Sequence, residues 1–566
     1  MPRPSSFHSP SRRTFVKALA AGGVLAGFGL WRNPVWAVSS PGQPEVLAGS
    51  DFDLCIQQLP VNFSGRPRKA MAINGSLPGP LLRWREGDRV TVRVRNRLDQ
   101  PSSIHWHGII LPADMDGVPG LSFEGIEPGG LYRYSFPVKQ HGTYWYHSHS
   151  GLQEQLGVYG PLVIDAREPE PFSYERDYVV LLSDWSDEEP GQILRTLKKQ
   201  SDYYNQHKRT LGDFIEDVGR DGWAATLAER SMWAQMNMTP TDLADVSGAT
   251  YTFLLNGQAP GQPWCGLFRP GERLRLRVIN ASAMSYFDLR IPGVQMTVVA
   301  ADGQHVVPVT VDELRIAVAE TFDVLVQPGA GAHVLFAQAM DRSGYALGTL
   351  ASAPGLVAEA PAMDPRPLLG MTDMAMAAMD HGAMNATISH PTSETSNPLV
   401  DMQAVNPMPR LDDPGIGLRD NGRRVLRYAD LKSTFADPDG REPSRTLTLH
   451  LTGHMEKFAW SFDGIPFAEA EPLRLRYGER LRIELVNDSM MAHPIHLHGL
   501  WSDLEDEHGR FQVRKHTIDM PPGTRRSYRV TADALGRWAY HCHLLYHMES
   551  GMFREVRVEE ERHHEA

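Results

Sequence analysis

The stretch Arg89-Val90-Thr91-Val92-Arg93-Val94-Arg95-Asn96-Arg97-Leu98, entered through Gly87-Asp88, decides how the chain is read. Apolar and polar side chains alternate at a period of two, the signature of a half-buried β-strand. A Gly-acid-Arg-(Leu/Val) turn feeding such a strand occurs at Gly87-Asp88-Arg89-Val90, Gly271-Glu272-Arg273-Leu274 and Gly478-Glu479-Arg480-Leu481. That is a weak internal repeat at domain scale. Around each copy the grammar is the same: short alternating segments separated by turns. Examples are NGSLPGP (74–80), FLLNGQAPG and DVLVQPG between 251 and 329, and SFDGIPF and SYRVTADALG between 447 and 560. The expected fold is all-β, with three related sandwiches or barrels over 45–168, 175–355 and 420–560. Two stretches interrupt it. Residues 186–246 are charged and aromatic, and GQILRTLKKQSDYYNQHKRTLGDFIEDV within them reads as a helical insertion. Residues 356–410 are rich in Pro, Ala, Ser and Met with little periodicity, and read as a long surface linker.

Composition agrees. A chain of 566 residues suits about three or four domains. Apolar residues at 42% and charged residues at 22% are ordinary soluble usage, which excludes bulk disorder, collagen and a polytopic membrane protein. A net charge of −12 argues against a nucleic-acid partner. Three cysteines cannot build a disulfide scaffold, and whether Cys55 and Cys265 pair is left to their Cα geometry. The 23 His and 23 Met point to soft and borderline transition metals.

Residues 1–37 read as an address. Ser11-Arg12-Arg13-Thr14-Phe15-Val16-Lys17 precedes a mildly apolar run, Ala18 to Trp31, that ends at the small-residue site Pro34-Val35-Trp36-Ala37. The run is too short and too glycine-rich to span a bilayer. The paired arginines resemble a twin-arginine export signal, whose machinery carries folded proteins; an ordinary secretory signal is the alternative. Either places the mature chain in the periplasm.

Four His-x-His triplets stand out: His105/His107, His147/His149, His496/His498 and His541/His543. Chance would give about one at this histidine content. On a strand, residues i and i+2 share a face, so each triplet is a two-nitrogen claw. Any one histidine is better read as a surface or satisfied core residue; four triplets, two in each terminal repeat, read as a shared cluster for about three metal ions. Cys542 points away from its two histidine neighbours. With His547, His493 and a distant Met552 it makes the two-His, one-Cys, long-Met set of a blue-copper site, against the alternative of a buried small hydrophobe. Electrons would then pass through bonds from Cys542 to His541 and His543.

HWHG, YWYHSH, HPIHLHG and HCHLLYHMESGM, in that order, resemble the four copper motifs of the multicopper oxidases. INASAMSYFDLRIPG, NGRRVLRYADL, GHMEKFAWSFDG and the Met-rich linker resemble the copper-resistance (CopA-type) branch. The resemblance covers the whole mature chain. It implies three cupredoxin-like Greek-key domains and four copper ions. By position, His493, Cys542 and His547 hold type 1 copper with Met552 axial, and His105 and His496 hold type 2. His107, His147, His149, His498, His541 and His543 hold the type 3 pair. Asp116 matches an acidic residue the family uses near type 2 copper, where a carboxyl can relay protons to dioxygen; a turn residue is the alternative.

The reductant is argued from methionine. Thioethers prefer Cu(I), and Met379-Asp380-His381-Gly382-Ala383-Met384 sets two thioethers around one imidazole. Asp488 and Met491, just before His493, are further candidates for seating substrate Cu(I), with packing the alternative for neighbouring Met490. The leading expectation is a periplasmic, monomeric copper-resistance oxidase of Cu(I), and of phenols or catechols, that meets other periplasmic copper-handling proteins. A laccase-like phenol oxidase and a copper-sequestering protein are the alternatives.

Overall fold

The computed structural model describes residues 45–235, 238–375 and 388–560. The export address and the Met379–Met384 motif lie outside the described residues. Each of the three Gly-acid-Arg turns launches the strand about which one sheet is organised: Arg89–Asn96, Leu274–Asn280 and Arg480–Asn487. In every copy this strand runs parallel to an earlier one, namely Asp51–Val61, Arg176–Ser186 or Thr446–His454. It runs antiparallel to a later one, namely Leu131–Pro137, Thr321–Val326 or Arg525–Thr531. The earlier strand also pairs antiparallel with the next in the chain: Arg68–Ile73, Tyr251–Leu255 or Ala459–Phe462. That next strand ends each time in a tight turn, Asn74-Gly75, Asn256-Gly257 or Asp463-Gly464, with both residues at positive φ. Asn, Asp and Gly are the residues that tolerate this region, so the repeat is written in turn chemistry as well as in alternation.

A second sheet accompanies the first in every repeat, making six among the described residues. The fold is the expected all-β one. The alternating residues Val90, Val92 and Val94 are fully buried. The middle repeat departs from simple alternation, because Arg275 and Arg277 are buried too. Their guanidinium groups meet Asp323 at 2.5 Å and Asp177 at 2.6 Å, and Arg277 donates to Thr143 Oγ1 of the first repeat. The polar face of this strand is an interface between repeats, where solvent would otherwise be.

The insertion forms helices Pro190–Leu197, Leu211–Asp221 and Trp223–Gln235. The helical reading of 191–218 is interrupted between Lys198 and Arg209. The second helix restarts at Thr210, whose side chain and that of Asp213 cap each other's backbone. The flanks of the Met-rich stretch correct the reading of a surface linker. Leu369, Met374, Met402 and Leu411 are buried in the main core. Asp401 N–H donates to Gly453 O at 2.9 Å, and Met408 bridges to Thr524. Cys55 and Cys265 are both free.

Candidate metal centre

Strand pairing brings the claws together two by two. His105–His107 lies antiparallel to Gly142–His147, with His105 opposite His147. His493–Leu497 lies antiparallel to Gly536–Cys542, with His496 opposite His541 and Ile495 opposite Cys542. The two pairs meet between the first and third repeats, where His105 stacks on His498 and His107 on His496, each at 3.9 Å between centroids. Four sets of ligand atoms result. They are His105, His107 and His496; His107, His147 and His543; His149, His498 and His541; and His493, Cys542 and His547.

The ring orientations fit metal. His105 donates its Nδ1–H to Asp116 O, His496 to His516 O, and His541 to Cys542 O. His498 Nδ1 lies 2.8 Å from Asp116 Oδ2, and His147 Nδ1 lies 2.6 Å from Glu154 Oε2. An acceptor at Nδ1 fixes the tautomer that turns a bare Nε2 inward. The Nε2 atoms of His105, His147, His149 and His496 are buried without a hydrogen-bond partner, as are Nδ1 of His107 and both nitrogens of His543. His498 Nε2 and His541 Nε2 face each other at 3.0 Å. Two lone pairs at that separation call for a cation between them. Burial holds His107, His147, His149, His496, His498 and His543 well below the usual imidazole range, and His541 at about 3. These seven rings are therefore neutral imidazole, the form that ligates.

The second centre sits behind the first. Cys542 Sγ is 3.5 Å from His493 Nδ1 and 3.9 Å from His547 Nδ1, and the two Nδ1 atoms are 3.1 Å apart. Met552 is fully buried, and its carbonyl accepts the Cys542 N–H. Burial pushes the Cys542 thiol far up, so the thiolate requires a metal to exist there. Trp460 stacks on His547 at 4.0 Å. The outer nitrogens of both rings are held inside the protein: His493 Nε2 by Ser489 Oγ at 2.7 Å, and His547 Nε2 by Asp245 Oδ2 at 2.7 Å.

Sequence reasoning missed several of these partners. Glu154 follows the second claw by five residues, and a charged residue inside a turn directly after a ligand pair was the available signal. His516, Ser489 and Asp245 carry no local signature. The middle repeat, which has no claw, acts as a clamp. Asp302 accepts the N–H groups of His516 and Thr517 at 3.2 Å each, and pairs with buried Lys515 at 2.9 Å. That grip holds His516 against His107, with 3.1 Å between ring nitrogens.

Of the candidates for substrate Cu(I), Asp488 is fully buried, with Oδ1 accepting the Ala404 N–H and Oδ2 meeting His450. Its carboxylate is thus engaged away from the Met491 partnership expected of it. Met491 is buried in the main core.

Domain signatures described as multicopper oxidase match residues 56–169, 176–353 and 440–562. The chain is 68% identical to the copper resistance protein A homolog of Pseudomonas syringae pv. tomato, over 97% of this chain and 99% of that one. It is 62% identical to copper resistance protein A of Escherichia coli, with the same coverage. Among solved structures, Fet3p, a multicopper oxidase that functions in iron import, shares the fold with a TM-score of 0.64 at 18% identity, over 91% of each chain.

Proposed function

The chain belongs to the multicopper oxidase family, and from that premise we propose that it is the periplasmic oxidase of a copper-resistance system. Four substrate Cu(I) ions would give up one electron each, and one dioxygen with four protons would become two waters. Copper is the cofactor; when bound, it supplies one-electron oxidation at the mononuclear site and dioxygen reduction at the cluster. His493, Cys542, His547 and Met552 would hold type 1 copper, and His105 and His496 type 2. His107, His147 and His543 would hold one type 3 ion, and His149, His498 and His541 the other. The observation that carries this reading is the single run His541-Cys542-His543, whose thiol lies in one ligand set and whose imidazoles lie in two others.

Burial supports an ion as the reductant. His493 and His547 are both wholly buried, and their outer nitrogens are covered by Ser489 and Asp245. A flat aromatic ring has no ligand edge to stack on, whereas an ion seated near Asp245 and the buried Asp242 would sit one carboxylate from His547. The relatives named for copper resistance support the same reductant. A second reading, phenol oxidation, is favoured by a partly enclosed pocket with a cavity volume of about 90 Å³, whose lining includes Leu243, Met340, Leu369, Met490 and Ala492, the last adjacent in sequence to His493.

Oxygen uptake by copper-loaded protein separates the two readings, with stabilised Cu(I) or a dimethoxyphenol as donor. The flanks of the Met-rich stretch are packed, so the informative deletion is residues 376–387 alone. Fast uptake with Cu(I), reduced by the deletion and by Asp245→Asn, is expected. Uptake with the phenol only would make it a laccase, and negligible uptake with either would make it a sequestering protein. Changing Arg12-Arg13 to Lys-Lys should strand the chain in the cytoplasm; normal export would point to the ordinary secretory route.

A further inference from the structure

Outside the two centres, His390, Glu394, His450 and Asp488 converge, with one ligand atom from each lying within 4.8 Å of every other. We propose that these four side chains form a separate site for a divalent copper ion.

Two of the ligands belong to the sheet. His450 lies on strand Thr446–His454, and Asp488 directly follows the parallel strand Arg480–Asn487, its N–H donating to Leu451 O at 2.9 Å. The other two come from the strap that follows the Met-rich stretch. That strap is fastened through Asn397, which donates to Gly464 O at 2.9 Å, and through Ala404 N–H on Asp488.

The separations suit four-coordination. His390 Nδ1 is 3.1 Å from Glu394 Oε2 and 3.4 Å from Asp488 Oδ2. His450 Nδ1 is 2.6 Å from Asp488 Oδ2 and 3.7 Å from Glu394 Oε1. Donors about 2.0 Å from one ion stand about 2.8 Å apart as cis neighbours in the tetragonal arrangement that Cu(II) prefers, and about 3.3 Å apart in a tetrahedral one. Of these four separations, the 2.6 Å one, a hydrogen bond between His450 and Asp488, has to open.

Three of the four ligands are already oriented by a second partner. His390 Nε2 donates to Ala404 O at 3.3 Å, which turns Nδ1 inward. Gln403 donates to Glu394 Oε2, and Glu394 Oε1 is left buried without a hydrogen-bond partner. Ala404 occupies Asp488 Oδ1 and leaves Oδ2 for the site. The carboxylates are wholly buried, and only His390, with 17% of its side chain exposed, gives a path from solvent.

Charge suits a divalent ion. The hydrogen bond to Asp488 raises His390 to about 9; burial lowers His450, but its own bond to Asp488 outweighs that. A divalent ion held by two neutral imidazoles and the carboxylates of Glu394 and Asp488 is balanced in charge, so the site would bury no uncompensated charge. Imidazole donors argue against Mg²⁺ and Ca²⁺, and the absence of thioether or thiolate among the four argues against Cu(I). Among divalent ions the affinity order places Cu²⁺ first. The site is independent of which reductant feeds the oxidase.

The test uses the copper-loaded full chain, equilibrated in air with excess Cu(II), gel-filtered and assayed for copper per chain. Wild type is compared with His390→Ala and the isosteric Glu394→Gln. The expected result is one copper per chain fewer in both variants, with the type 1 visible absorption unchanged. The wild-type-minus-variant electron paramagnetic resonance spectrum should show one Cu(II) with nitrogen couplings from two imidazoles. Equal copper in all three proteins, or no wild-type copper beyond the cofactor set, would overturn the proposal and leave the cluster an ion-pair fastening. Should His390→Ala alone disturb the type 1 absorption, Glu394→Gln decides.

Discussion

Replacing Asp116 separates two jobs that one carboxylate could do at the cluster. Its Oδ2 takes the Nδ1–H of His498 at 2.8 Å, and its backbone carbonyl takes that of His105 at 2.9 Å. Its Oδ1 lies 3.2 Å from His105 Nδ1, buried and without a hydrogen-bond partner. The main chain cannot shift to compensate, because Gly117 at φ +77° is so close that a Cβ there would lie 1.9 Å from Ile104 O. Asp116→Ala leaves His105 its carbonyl but strips His498 of a charge-assisted bond, worth about 1.5–3 kcal/mol. That is about 10- to 150-fold in copper affinity, in line with second-shell losses of about 10–100-fold at metal sites. Asp116→Asn can still accept from His498 but cannot carry a proton. If the carboxyl delivers protons to dioxygen, Asn keeps its copper and loses turnover by about 10²-fold or more. The assay is oxygen consumption at saturating donor, with copper content and type 2 resonance measured on the same samples. Wild-type turnover in Asp116→Asn would refute the proton role, and full copper in Asp116→Ala would refute the orienting role.

Glu154→Ala removes the carboxylate 2.6 Å from His147 Nδ1 and leaves that nitrogen only the Ser148 carbonyl at 3.2 Å, so type 3 copper retention should fall by about 10-fold, read by dialysis against a chelator. Lys515→Met leaves Asp302 and Glu320 buried without the cation that now sits 2.9 and 3.0 Å from them. It should cost about 3–5 kcal/mol, seen as a large fall in thermal midpoint. Gly108→Ala would set a Cβ 2.4 Å from the His516 ring at φ +78°. We expect a loss of about 1–3 kcal/mol together with a broadened type 3 signature, and an unchanged midpoint would show that the ring moves freely.

What the sequence by itself determined is local. Period-two alternation in Arg89–Leu98 follows from strand geometry, and the thrice-written Gly-acid-Arg turn marks the same strand in each repeat. The His-x-His claws need only the i, i+2 rule to be read as paired ligands, and the run around Cys542 carries its chemistry within a dozen residues. Tertiary structure decided the rest, because the deciding contacts join residues far apart in the chain. Asp116 sets the tautomer of His498 from 382 positions away, and Asp302 holds the His516 backbone from 214. Arg275 and Arg277 look like the solvent side of an alternating strand until the first repeat covers them. Asp488 lies beside Met491 in sequence, yet its carboxylate closes on His450 and His390, because the strand pairing and the strap behind it fix where that side chain ends. Alternation and spacing report which face a residue occupies. Which atom on that face is free to bind is set by the partner opposite, and only the assembled fold supplies it.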